Sequence, residues 1–122
     1  MKILIAGSRN IPSEEYEDIE RDMREALLKL KEKHEEVILI SGAARGIDSL
    51  AAEVAQGLGI KVDFYPAQWS VYGRCAGMIR NRTMVEKCDL ALIYWDGSSP
   101  GTANTIEQLK AKNKKFFIYY MG

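Results

Sequence analysis

Short apolar runs alternate with longer amphipathic stretches along the chain, and this alternation predicts a repeated strand and helix pattern. The apolar runs are of a length typical of buried strands, and they lie at residues 2–6, 37–40, 60–65, 89–95 and 115–120. The third run is more polar than the others, which indicates a strand near an edge of the sheet.

Between these runs, apolar residues recur at steps of three and four, which is typical of helices that bury one face. Ile19, Met23 and Leu27 form such a stripe in the first helix, for which Ser13 is the predicted N-terminal cap. Gly59 is the predicted end of the second helix. The four predicted helices cover residues 13–33, 48–58, 78–87 and 102–113, and a loop covers residues 66–77.

Five strands joined by helices predict a mostly parallel sheet with helices on both faces, that is, one Rossmann-like three-layer α/β domain over residues 1–122. The expected strand order is 3-2-1-4-5, which places the reversal between strands one and four. The fifth strand is apolar throughout, which is unusual for an edge strand. Either helices cover both of its faces or a partner subunit does, so a homo-oligomer is left open.

The overall charge excludes a strongly basic nucleic-acid binder, because 17 Lys and Arg balance 17 Asp and Glu. Five of the seven arginines nevertheless lie in or beside the predicted loops, at positions 9, 45, 74, 80 and 82. Arginine in a loop suits the forked recognition of phosphate or carboxylate. Anion binding is therefore expected at the loops.

Cysteine and histidine are too few to suggest a disulfide framework or a zinc site. Cys75 and Cys88 are twelve residues apart, and His34 is the single histidine. No apolar run is long enough to span a bilayer, so we expect no membrane partner and a reduced, cytoplasmic setting. No cofactor is evident; a Mg²⁺ ion held through the phosphate of a ligand would leave no motif, so that ion stays open.

Three loops that follow strands carry the residues that we single out as candidate ligand contacts. In an open parallel sheet these loops share one edge, where ligands bind, and each opens onto a helix N-terminus that favours anions. The candidates are Gly7, Ser8 and Arg9 in the first loop; Ser41, Gly42, Arg45, Gly46 and Asp48 in the second; and Gly97, Ser98, Ser99, Gly101 and Thr102 in the third.

Several known nucleotide and hydrolase motifs fail when they are tested against these loops. The first loop lacks G-x-G-x-x-G, and no P-loop occurs in the chain. Residues 97–101 match G-x-S-x-G, but His34 is predicted at the opposite edge of the sheet from Ser99. A serine triad is therefore excluded.

The loops resemble the SLOG superfamily. Residues 41–48 (SGAARGID) are similar to the SGxARGID signature of the DNA-processing protein DprA, and Gly7-Ser8-Arg9 and Arg80-Asn81-Arg82 match further segments of the same group. The series Trp69, Tyr72-Gly73, Ala76-Gly77, Arg80-Asn81 resembles the YspA-like branch of small bacterial and phage SLOG proteins. This resemblance implies a nucleotide or nucleotide-derived ligand over the loops. It adds four residues to the candidate contacts: Trp69, Tyr72, Arg80 and Asn81. Trp69 or Tyr72 would either stack on the base or pack within a lid. Arg80 and Arg82 point to different sides of a helix, so one of them is expected in the site. Arg80 is preferred, because the pair Arg80-Asn81 carries the resemblance.

The resemblance also carries two alternatives. The related LOG phosphoribohydrolases use P-G-G-x-G-T-x-E-E, but Asn104 and Thr105 stand at the acidic positions here, which weakens N-glycosidic hydrolysis. Asp48 remains as an acid near the site, either as a contact to a ribose hydroxyl or as the cap of a helix that begins at Ser49. DprA binds single-stranded DNA, so nucleic acid is the other alternative partner. The sequence favours a small phosphorylated nucleotide bound by a sensor or processing protein.

Overall fold

A computed structural model describes residues 1–122 and contains one five-stranded parallel sheet in the order β3-β2-β1-β4-β5. The expected strand order is confirmed. The third strand lies at one edge, as its polar composition predicted, and the fifth lies at the other. The strands are β1 (Lys2–Gly7), β2 (Ile38–Ser41), β3 (Lys61–Phe64), β4 (Leu90–Trp95) and β5 (Lys115–Tyr120).

Five α-helices connect the strands, and their starts differ from the predicted ones. The prediction that Ser13 caps the first helix is wrong, because Pro12 precedes a 3-10 turn at Ser13–Glu15 and the Ser13 hydroxyl donates to the Glu14 carboxylate. The predicted loop at residues 66–77 is wrong in part, since it contains a short helix and a 3-10 turn at Gly73–Cys75. The helices are α1 (Tyr16–Lys33), α2 (Ile47–Gly57), α3 (Trp69–Tyr72), α4 (Ala76–Lys87) and α5 (Pro100–Ala111).

Alternate residues of the central strand fill two separate cores, one on each face of the sheet. Ile3 and Ile5 of β1 pack with α1 and α2, whereas Leu4 and Ala6 pack with α4 and α5. This two-sided burial explains why β1 reads as a continuous apolar run. It also leaves the carboxyl ends of β1, β2 and β4 at one edge, where the loops to α2 and α5 begin. None of the helices is long and apolar enough to cross a membrane.

Tyr94 joins the sheet to α1 through one buried phenol. Its side chain is fully buried, and its hydroxyl donates to the Asp22 carboxylate at 2.6 Å. Burial, together with the hydrogen bond to Asp22, raises the pKa of Tyr94, so the phenol stays protonated and continues to donate.

We predict that Tyr94→Phe lowers the free energy of unfolding by about 1–2 kcal/mol, because it leaves the apolar packing intact and removes one hydrogen bond to a carboxylate. Urea denaturation measures the loss. Tyr16→Phe is the control, because Tyr16 lies exposed at the start of α1. Equal stability of the Tyr94 variant and the wild type would show that the Asp22 contact contributes nothing.

Candidate functional site

A cleft of about 390 Å³ lies at the carboxyl ends of β1, β2 and β4. Its lining is mainly polar and includes three arginines and a single carboxylate. The lining residues are Ala6, Gly7, Ser8, Arg9, Asn10, Ala44, Arg45, Asp48, Arg80, Asn81, Met84, Ser99, Pro100, Gly101, Thr102 and Thr105.

The cleft brings together ten of the candidate residues named from the sequence. All three residues of the first loop are present, with members of the second and third loops and of α4. The ten are Gly7, Ser8, Arg9, Arg45, Asp48, Arg80, Asn81, Ser99, Gly101 and Thr102. Ser41, Gly42, Gly46, Trp69, Tyr72, Gly97 and Ser98 do not line it.

Arg80 crosses from α4 to the loop after β2 and holds one wall of the cleft. Its Nη1 donates to the carbonyl oxygen of Gly42 at 2.5 Å and to that of Tyr65 at 3.4 Å. Burial lowers the pKa of this guanidinium, and Asp48 partly offsets the effect. Arg80 lies in the second turn of α4 and not at its start, because the helix begins at Ala76. Arg82 points away and is exposed.

Gly42 leaves the space that Arg80 and Asp48 share. A Cβ atom at this position would lie 2.7 Å from Arg80 Nη1 and 2.7 Å from Asp48 Oδ2. Both distances are shorter than van der Waals contact, so any side chain here would displace one of the two charged groups. The role of Gly42 is therefore to admit the charged side chains that line the cleft.

Asp48 is the buried acid of the site. It lies in the first turn of α2 and is 5% exposed, and its Oδ2 accepts the N–H of Ala44 at 3.2 Å. The expected cap of a helix from Ser49 is wrong, because α2 begins at Ile47 and the carboxylate binds the preceding loop. Burial raises the pKa of Asp48 to about 6, although the Ala44 N–H and the nearby Arg80 and Arg9 act in the opposite direction.

The first two loops are locked together at Gly46. This residue has φ of +80°, and a Cβ atom built on it would overlap the backbone of Arg9. The N–H of Ile47 donates to the carbonyl of Ser8 at 3.2 Å across the same contact. A left-handed glycine is therefore required here, and Arg9 and Arg45 are held on the same side of the cleft.

In the third loop, a carboxylate already occupies the backbone donors that a phosphate would otherwise use. Asp96 Oδ1 accepts the N–H groups of Ser98 at 2.9 Å and Ser99 at 2.8 Å. These bonds lower the pKa of Asp96 to about 2, so the turn persists through the physiological range. The Ser99 hydroxyl donates to Asp96 Oδ2 at 2.9 Å, and it lies 3.1 Å from the Ser8 hydroxyl.

The first turn of α5 supplies the backbone donors that remain. Pro100 is its first residue and has no N–H, and the N–H of Ala103 donates to the carbonyl of Ser99. The N–H groups of Gly101 and Thr102 come before the first intrahelical bond, and both residues line the cleft. The positive end of a twelve-residue helix therefore faces the cavity.

Asn81 ties α4 to α5 beneath the cleft. Its Nδ2 donates to the carbonyl of Gly101 at 3.3 Å and to Asn104 Oδ1 at 3.2 Å, and Gln108 Nε2 donates to the same oxygen at 2.9 Å. Asn104 is thus part of an amide network and supplies no acid. Thr105 lines the cleft and donates to the Gly101 carbonyl, which leaves Asp48 as the single carboxylate there.

A second cavity of about 260 Å³ lies on the other side of Arg80 and is more apolar. Its aromatic lining residues are Phe64, Tyr65 and Tyr72. Trp69 lines neither cavity; its ring lies 3.5 Å from the position of a Cβ atom on Gly77, and the side chain is 55% exposed. Of these two candidates, which both belong to α3, only Tyr72 shares a cavity with Arg80.

Six lining residues of the first cleft were not predicted from the sequence: Ala6, Asn10, Ala44, Met84, Pro100 and Thr105. Helical spacing offers a signal for two of them, because Met84 is one turn after Arg80 and Thr105 follows Thr102 by three residues. Asn10 and Ala44 adjoin predicted contacts. No cluster of three or more His, Cys, Asp or Glu side chains is arranged to hold a metal ion. A Mg²⁺ ion held through a ligand's phosphate stays a prediction.

Fold and cleft together define a Rossmann-like α/β protein with a polar ligand site at the carboxyl edge of its parallel sheet. The chain belongs to the YspA, cpYpsA-related SLOG family (YAcAr), whose family model matches residues 1–72. The matched segment contains the first two loops of the cleft. Membership confirms the resemblance that the loops indicated and supports a ligand-binding role.

The chain is also similar to a curated phage protein and to two solved structures. It is 30% identical over 78 residues to the Gene 61 protein of Mycobacterium phage D29, an alignment of 59% of this chain and 62% of that protein. DprA of Streptococcus pneumoniae superposes with a TM-score of 0.71 at 20% identity, over 96% of this chain and 49% of that one. DprA of Helicobacter pylori, in a structure that concerns its single-stranded DNA binding mode, gives a TM-score of 0.65 at 17% identity, over 97% and 64%.

The chain spans less than two thirds of the length of each of these three proteins. At such low identity the likeness to DprA establishes the fold. The Rossmann-like architecture predicted from the strand and helix pattern is thereby confirmed.

We predict that Gly42→Ala destabilises the chain by about 1–3 kcal/mol, because the added methyl group displaces Arg80 or Asp48. Gly57→Ala is the matched control, since a Cβ atom at Gly57 meets nothing within 4 Å at the end of α2, and it should be neutral or slightly stabilising. Denaturation midpoints compare the two. Equal effects at the two glycines would contradict the assigned role of Gly42.

Asp48 predicts a pH dependence of stability with a definite sign. Its pKa is about 6 in the folded chain and near 3.8 when unfolded, so the folded state holds more protons between these values. Asp48 therefore stabilises the folded state by about 3 kcal/mol when it is protonated, relative to its ionised form. This contribution is fully present below about pH 4 and is lost as the pH rises through about 6.

Asp48→Asn removes this titration. We expect the stability difference between the wild type and the Asn variant to shift by about 2–3 kcal/mol in favour of the wild type on going from pH 7 to pH 4. Urea denaturation at each pH measures the difference. Parallel stability profiles for the two proteins would show that Asp48 titrates normally.

Proposed function

We propose that this protein binds a phosphorylated nucleotide or nucleotide-derived ligand in the cleft at the carboxyl edge of the sheet. The observation that carries the proposal is the convergence of Arg9, Arg45 and Arg80 with the N-terminus of α5 over one cavity. Three guanidinium groups face a single carboxylate, so the cleft favours a ligand with more than one negative charge.

The phosphate group would bind at the first turn of α5. The N–H groups of Gly101 and Thr102 are the donors there, because Asp96 occupies those of Ser98 and Ser99. Arg9 and Arg45 line the same cleft with exposed side chains and can turn their guanidinium groups toward the phosphate oxygens. Of the candidates in the third loop, Gly101 and Thr102 are therefore the proposed phosphate contacts.

The nucleobase would occupy the second, aromatic cavity. Arg80 lines both cavities, so a ligand that spans its guanidinium would place phosphate on one side and a ring on the other. Tyr72 is 47% exposed and Phe64 49%, so both rings offer an accessible face to a planar base. Of the two stacking candidates, these contacts favour Tyr72 over Trp69.

We expect Arg45→Ala to weaken binding of a nucleoside monophosphate or ADP-ribose by about tenfold, since it removes one charge-assisted contact to phosphate. Its side chain is exposed, so the fold should be unaffected. Arg82→Ala is the matched control, because Arg82 is exposed on α4 and lies outside the cleft.

A thermal-shift panel of nucleoside monophosphates, ADP-ribose, NAD and cyclic nucleotides identifies the ligand, and titration calorimetry then gives the affinities. Equal affinity in Arg45→Ala and Arg82→Ala would refute the phosphate contact. A panel without any shift at millimolar concentrations would refute the nucleotide proposal for the compounds used.

Single-stranded DNA is the second candidate ligand, favoured by the likeness to the DprA of Helicobacter pylori. Phe64, Trp69 and Tyr72 are exposed aromatic side chains, as expected for base stacking, and Phe64 and Tyr72 line the cavity beside Arg80. A short oligonucleotide distinguishes the candidates: DNA binding would weaken steeply with salt and would fall in Trp69→Ala. Tight binding of a mononucleotide that is insensitive to Trp69→Ala would favour the first proposal.

A further inference from the structure

The free edge of β5 is an unpaired, apolar strand edge. β5 pairs with β4 along one side only, and its other side is the free edge of the sheet. Phe117 is 56% exposed and Tyr120 is 65% exposed. A long apolar edge of this kind pairs readily with another strand unless something covers it.

The backbone groups of β5 that face this edge can be assigned from one hydrogen bond. The N–H of Met121 donates to the carbonyl of Trp95 on β4, which continues the ladder beyond the last residue of the strand. Because alternate residues of a strand direct their backbone groups to opposite sides, Phe117 and Tyr119 also face β4. The N–H and C=O groups of Phe116, Ile118 and Tyr120 therefore point outward.

We propose that β5 pairs antiparallel with β5 of a second copy of this chain, about a two-fold axis at Ile118, so that two sheets become one continuous sheet. A two-fold register centred on a residue of β5 pairs outward-facing residues of one strand with outward-facing residues of the other. Centring on Ile118 uses all three of them, since Phe116 then lies opposite the partner's Tyr120 and Ile118 opposite the partner's Ile118.

The side chains on both faces of such a pair are complementary. Phe117 and Tyr119 share the face that carries α1. In this register Phe117 would lie across from the partner's Tyr119, and Tyr119 across from the partner's Phe117. On the opposite face, Phe116 would lie across from the partner's Tyr120. Cross-strand aromatic pairs of this kind stabilise antiparallel sheets, and they cover the two most exposed aromatic rings of β5.

Charge complementarity favours a second copy over an unrelated strand. The strand begins at Lys115, whose Nζ lies 5.6 Å from the centre of the Phe117 ring. Its other end is acidic, because the Glu15 carboxylate accepts the N–H of Gly122 at 2.7 Å. Antiparallel pairing would bring Lys115 opposite the partner's Met121, beside the partner's Glu15, and the two-fold axis repeats this contact.

A pair of charge reversals tests the proposal. Lys115→Glu and Glu15→Lys each place like charges at both ends of a homodimer, and each should weaken dimerisation by about tenfold or more. An equimolar mixture of the two variants restores opposite charges at both contacts, so it should form a heterodimer as stable as the wild-type dimer. Sedimentation equilibrium from about 1 to about 200 µM measures the association constants.

Lys61→Glu is the matched control, because Lys61 is the exposed first residue of β3 at the opposite edge of the sheet. It should leave dimerisation unchanged. Hydrogen exchange gives a second readout: the amides of Phe116, Ile118 and Tyr120 should be protected in the wild-type dimer and not in Lys115→Glu.

A wild-type chain that stays monomeric over this range, or a dimer that both reversals leave intact, would overturn the proposal. So would a mixture of folded variants that fails to associate. Circular dichroism of each variant establishes that it is folded. Ligand binding in the cleft is measured separately, so failure here leaves the proposed function untouched.

Discussion

The architecture of the site depends on one guanidinium group that crosses between distant parts of the chain. Arg80 leaves α4 and binds the carbonyl oxygens of Gly42 and Tyr65, which follow β2 and β3. A partly buried cation needs such partners, because it has lost part of its hydration. Gly42 has no side chain and so admits Arg80 and Asp48 together, and Asp48 provides the opposite charge from the start of α2. The loops are therefore held in place by the same groups that line the cleft.

The three loops are organised before any ligand arrives, each by a different device. Gly46 packs against the backbone of Arg9 and fixes the second loop to the first. Asp96 closes its own turn by accepting two N–H groups, and the Ser8 and Ser99 hydroxyls join this turn to the first loop. What remains open is the first turn of α5 and the exposed arginines. A ligand thus meets donors whose positions are largely set, which lowers the ordering cost of binding.

The order of the sheet could be predicted from the sequence, because alternating apolar strands and amphipathic helices leave few right-handed parallel arrangements. Local chemistry was harder to predict. Serine is a residue type that often caps helices, but here Pro12 occupies the cap position and Ser13 is the first residue of the 3-10 turn. The segment of residues 69–75 is too short to show helical periodicity. The Asp96 turn has a visible signal, Asp followed by Gly and two Ser, which favours a side-chain bond to the backbone. No local pattern predicts that Arg80 reaches Gly42, 38 residues away.

The central place of β1 has a consequence for how the chain reaches its folded state. β1, β2 and β3 are adjacent both in the sheet and along the sequence, but the other neighbour of β1 is β4, which begins only at Leu90. During synthesis the first half of the protein therefore presents the bare edge of β1, whose residues 3–6 are buried in the folded protein, until β4 emerges. Such an edge is a template for misassociation. Residues from before and after β4 line the cleft, so the cleft is complete only after β4 has paired with β1 and covered this edge.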